Sequence, residues 1–124
     1  MRRAALLCAV ALLGPSAHAQ LIAVEWDAEG RFEKTVPVPA AKFIELCEKL
    51  GAGTRVQWRF DAPSPLDFNI HYHEGKEVRF PARADRSLGS RGTLDASGAH
   101  DYCWMWTNKA STPISVSVKL ARER

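Results

Sequence analysis

The side chains best suited to chemistry fall in two short runs, His71-Tyr72-His73 and Cys103-Trp104-Met105. Residues two apart in a strand share a face, so His71 and His73 point one way, and Cys103 and Met105 also share a face. Imidazole and thioether donors together suit copper, and if the two runs were neighbours, His71, His73 and Met105 would form a metal site. Ordinary solvent-face histidines and a methionine filling a surface gap account for the same residues. Cys103 offers no thiolate if it is in a disulfide. Glu74 and Glu77 beside His73, and His100 beside Asp101, supply acids and bases on paper. A hydrolase triad needs nucleophile, base and orienting acid in contact, and no nucleophile elbow or zinc-hydrolase motif arranges them here. The sequence therefore predicts no catalytic residue and no enzyme. Tyr102, Trp104 and Trp106 read either as an aromatic platform for sugar, lipid or peptide or as core. Aromatics at period two with apolar partners in other strands favour core.

The elements that must position these groups are strands. Gly and Pro stops recur at short intervals: Gly30, Pro37, Pro39, Gly51 to Gly53, Pro63-Ser64-Pro65, Gly75, Pro81, Gly89 to Gly92, Gly98 and Pro113. Between them, Val56, Trp58 and Phe60 alternate with Arg55, Gln57 and Arg59. Phe68, Ile70 and Tyr72 oppose Asn69, His71 and His73. Tyr102, Trp104 and Trp106 oppose Cys103 and Met105, and Ile114 to Leu120 alternates in the same way. A period of two with one apolar face predicts strands whose other face meets water, and the spacing of the stops predicts an all-β antiparallel sandwich. Earlier strands are expected at Leu21 to Trp26 and Arg31 to Val38. Ala40 to Leu50 fits both a helix, with apolar residues at 43, 46, 47 and 50 and Gly51 as a cap, and an alternating strand. Trp58, Phe68, Ile70, Trp104 and Val116 are the predicted core.

The first residues read as an export signal. Arg2 and Arg3 precede the apolar run Ala4 to Leu13, Gly14-Pro15 breaks it, and Ala17-His18-Ala19 fits the cleavage rule before Gln20. The run is too short to span a bilayer, which takes about 20 apolar residues. Residues 1–19 are thus expected to be removed, leaving residues 20–124 as one domain in the periplasm or outside the cell. Arg2 and Arg3 carry two of the three net positive charges, so the remainder lacks the basic face of a nucleic-acid binder. Cys8 leaves with the signal, and Cys47 and Cys103 remain. Two cysteines in an oxidising compartment most simply form one disulfide.

With these residues in view, the chain resembles a GOLD (Golgi-dynamics) domain, the jelly-roll type β-sandwich of the lumenal part of vesicular cargo receptors. The resemblance spans about Phe32 to Leu120. It rests on Cys47-Glu48-Lys49-Leu50-Gly51-Ala52-Gly53 before Val56-Gln57-Trp58, on Leu66-Asp67-Phe68-Asn69-Ile70, on Gly98 before Tyr102-Cys103, and on Asn108 before Val116 and Val118. It implies that Cys47 pairs with Cys103 and that Phe43 to Leu50 is a strand. No coiled coil or apolar span follows the domain up to Arg124, so a trafficking role is not implied, and a free-standing periplasmic relative is. The expected function is non-catalytic binding of a protein, envelope component or small ligand. The alternative is copper, or another metal, bound through His71, His73 and Met105.

Overall fold

Each alternating run of the sequence is a strand in the computed structural model, which describes residues 20–123. The expected signal, residues 1–19, lies outside them. Within the described residues seven strands follow one another: β1 (Gln20–Ala23), β2 (Arg31–Val38), β3 (Phe43–Leu50), β4 (Arg55–Glu74), β5 (Glu77–Asp95), β6 (His100–Thr107) and β7 (Ile114–Arg122). Among the described residues there is no helix. The hydrogen-bonded order is β1-β3-β6-β4-β7-β2, with β5 on β4. Every pairing is antiparallel except β1 on β3.

The long β4 makes this sheet a sandwich. Its first part, Val56 to Asp61, pairs with β7, and its second part, Asp67 to His71, pairs with β6. The chain changes layer between them, and the apolar faces of the two parts meet. Phe60 and Phe68 rings lie 4.6 Å apart, Trp58 and Phe68 5.0 Å, and Phe68 and Trp106 5.4 Å. All five predicted core residues are buried, with Ile70, Trp104 and Val116 completely so.

Several expected boundaries are corrected. Thr54 to Phe60 and Asp67 to His73 are one strand, because Pro63 and Pro65 sit where the pairing with β5 jumps from Asp61 to Leu66. Proline lacks an N–H, and here the ladder does not call for one. Pro81 and Gly89 to Gly92 likewise lie inside β5 rather than between strands. Gly92 permits a close approach, since a Cβ there would come within 2.8 Å of the Trp58 ring. The first strand ends at Ala23 instead of Trp26. The ambiguous segment is strand β3. Its residues pair one for one with β6, from Phe43 opposite Thr107 to Leu50 opposite His100, and Ile44, Leu46 and Leu50 face the core.

At the turn of layer, Arg86 takes a left-handed backbone conformation with φ of 49°. Its N–H donates to Asp67 Oδ1 at 2.8 Å, and Lys109 Nζ lies 2.8 Å from Asp67 Oδ2. The Lys109 ammonium, then the Arg86 N–H, hold the Asp67 carboxyl below the usual carboxylate range. A carboxyl lowered by folding stabilises the native state above its unfolded pKa and loses that contribution as pH falls through the lowered value. Asp67→Ala is expected to cost about 1.5–2 kcal/mol at pH 7, the lower part of the range for bonds to a charged group because Lys109 is solvated. Urea unfolding at pH 7 and pH 3 checks this. The gap between wild type and variant should shrink at pH 3, and a gap that is absent at pH 7 or undiminished at pH 3 contradicts the assignment.

Candidate functional site

The candidate chemistry gathers on the outer face of the half-sheet β3-β6-β4. Inward residues of these strands fill the core, so their neighbours in sequence must point outward. Cys47 stands opposite Cys103, and Cys103 stands opposite His71, giving one row across three strands. The next row is Glu45, Met105 and Asn69. Cys47 and Cys103 form the disulfide, with Cα atoms 4.1 Å apart.

His71 is buried, with 8% of its surface exposed, although it lies on the outer face. Its Nδ1 is 2.7 Å from Asn69 Oδ1 and its Nε2 is 3.3 Å from Glu45 Oε1. The His73 ring meets it edge-on at 5.6 Å, and the Phe80 ring lies 6.1 Å away. Burial pushes the His71 imidazole below its ordinary pKa. The Glu45 carboxylate pulls it back up, and His73 adds a smaller push down. The ligating atoms of Glu45, His71 and Cys103 all lie within 4.8 Å of one another.

The structure thus brings His71 and His73 together and places Met105 one row away on the same face. Glu45 and Asn69, which contact His71 directly, were not among the residues singled out from the sequence. Asn69 shares the alternation of His71 and was visible there, whereas Glu45 required knowing that β3 lies beside β6 and β6 beside β4. The other candidates separate. His100 and Asp101 are consecutive in β6 and face opposite sides, and His100 stacks on Tyr72 at 4.5 Å. Glu74 Oε2 lies 3.9 Å from His100, and Glu77 pairs with Arg79. Tyr102, Trp104 and Trp106 are fully buried, so they are core and not a platform.

No family model matches the chain, and no curated protein matches it. Solved structures do resemble it. PliG from Aeromonas hydrophila, a periplasmic inhibitor of g-type lysozyme, superposes with a TM-score of 0.66 at 14% identity, covering 85% of this chain and 97% of that one. PliG from Salmonella Typhimurium gives 0.62 at 12% identity, covering 86% and 100%. A mitogen from Yersinia pseudotuberculosis gives 0.57 at 10% identity, covering 73% and 84%. At such identities the likeness shows the fold alone. It also overturns the GOLD resemblance: the neighbours in fold are PliG inhibitors and a mitogen, and no family model supports a GOLD domain. A disulfide between neighbouring strands is common in small domains of oxidising compartments and does not mark one family.

Proposed function

We propose that this chain is an exported, non-catalytic module of the periplasm that binds a protein, and that the partner is a lysozyme of the g type. The observation that carries the reading is the end-to-end correspondence with two PliG structures, of which 97% and 100% are covered. The inference is one of fold analogy, since a fold hosts many functions and a function must finally be read from a site. Two features of this chain support it: a signal-like N-terminus, and a disulfide of the kind that persists in oxidising compartments. The experiment is direct. Purified protein spanning residues 20–124, titrated into a g-type lysozyme acting on peptidoglycan, should abolish lysis at one equivalent and co-elute with the enzyme. Undiminished lysis with no complex at micromolar concentrations would remove the lysozyme, and a c-type lysozyme serves as the specificity control.

Copper binding is the second reading, favoured by the 5.6 Å separation of the His71 and His73 rings with Met105 on the same face. Copper titration of the disulfide-intact protein should reveal one tight site that His71→Ala/His73→Ala removes, with Met105→Leu weakening Cu(I) more than Cu(II). Equal uptake by wild type and double variant would exclude it.

A further inference from the structure

His71 meets more acceptors than a neutral imidazole has N–H donors. A neutral imidazole has one N–H and one lone pair. His71 has a side-chain oxygen at each nitrogen, Asn69 Oδ1 at 2.7 Å and Glu45 Oε1 at 3.3 Å. If Nδ1–H donates to Asn69, the Nε2 lone pair faces a carboxylate, and both atoms are free to ligate. Histidine ligands commonly hold their orientation by donating the other ring N–H to an oxygen, which is the role open to Asn69. The third member of the cluster is the Cys103 sulfur, within 4.8 Å of both donors, and Cys47 is bonded to it. In the disulfide neither sulfur is a thiolate.

The geometry points to a redox-gated site for zinc or a similar divalent ion, formed by Glu45, His71, Cys47 and Cys103 when the disulfide is open. A dithiol reductant would supply two electrons and two protons to the Cys47–Cys103 bond and itself become a disulfide. The metal then displaces the two thiol protons and takes two sulfurs, one imidazole nitrogen and one carboxylate oxygen. Cysteine sulfur, histidine nitrogen and carboxylate oxygen are all zinc donors, and four of them suit its tetrahedral geometry. Oxidised, the same residues form a structural staple beside a buried His–Glu pair. Disulfide and metal are therefore mutually exclusive at one place on β3, β6 and β4. The site is independent of lysozyme binding, and it differs from the copper set in using neither His73 nor Met105.

The test uses protein spanning residues 20–124, reduced anaerobically with dithiothreitol, freed of reductant by gel filtration, and titrated with Co(II). One equivalent should produce thiolate-to-cobalt charge-transfer bands that Zn(II) erases, and the oxidised protein should produce none. His71→Ala should weaken binding by more than about 100-fold and Asn69→Ala by about 10–100-fold, the effects of losing a ligand and its orienting partner. His73→Ala and Met105→Leu should leave it unchanged. If the reduced chain is unfolded by circular dichroism, zinc should restore the strand signal, because binding then drives folding. The proposal fails if the reduced protein gives no thiolate bands and zinc does not restore its fold, or if His71→Ala binds as wild type.

Discussion

Phe68→Ala is expected to lower the unfolding free energy by about 3–5 kcal/mol, the range for removing a large aromatic side chain from a packed core. The residue is 1% exposed and sits just past the turn of layer in β4. Its ring contacts Phe60 and Trp58 from the first part of its own strand, and Trp106 from β6. It therefore joins the two layers directly, and a cavity there has walls held by rigid ladders that collapse poorly. Trp104→Ala, fully buried in the same core, belongs in the same range. Phe68→Leu should cost much less, because most of the volume is retained. Equilibrium denaturation of the purified variants measures this. A loss below about 1 kcal/mol for Phe68→Ala would mean that the two layers are joined elsewhere.

That core was legible because each central strand has one apolar face, and alternation survives any mistake about which strand lies beside which. Val56, Trp58 and Phe60 announce a strand by themselves. The continuity of β4 through Pro63 and Pro65 was not legible, because proline reads as a stop unless the pairing partner is known to skip it. β5 was hidden for a different reason. Among the described residues it is bonded only to β4, and most of its residues are exposed, so neither face carries the apolar signal that marks a strand. The site divides in the same way. The shared face of His71, His73, Cys103 and Met105 followed from a period of two, whereas the approach of Glu45 to His71 depends on strand order, which no local pattern encodes. Residues 47 and 103, with the aromatics between them, suggested the wrong family because a disulfide between strands beside buried aromatics is not specific to one family.

Replacing both Cys47 and Cys103 by alanine is expected to cost about 4 kcal/mol on the chain-entropy estimate for a loop of this length, the two residues being 56 apart in sequence. Since domains of this kind are stable by about 5–15 kcal/mol, the loss removes a large share of the total. The native state itself has little to lose. β3 and β6 pair residue for residue over their whole length, so the ladder holds residues 47 and 103 opposite one another without a covalent link. The stabilisation should therefore appear in the unfolded chain, which is larger and more exposed once the link is gone. Two readings separate the causes: the denaturation midpoint should fall, and the slope of free energy against denaturant should rise, because more surface is exposed on unfolding. Mass measurement of the native protein should show two hydrogens fewer than the reduced form, and alkylation without reductant should label neither cysteine. A fall in midpoint of the expected size with an unchanged slope would place the effect in native packing around the buried Cys103 instead. A loss below about 1 kcal/mol would show that the unfolded chain gains little freedom when the bond is removed, because it already retains residual structure.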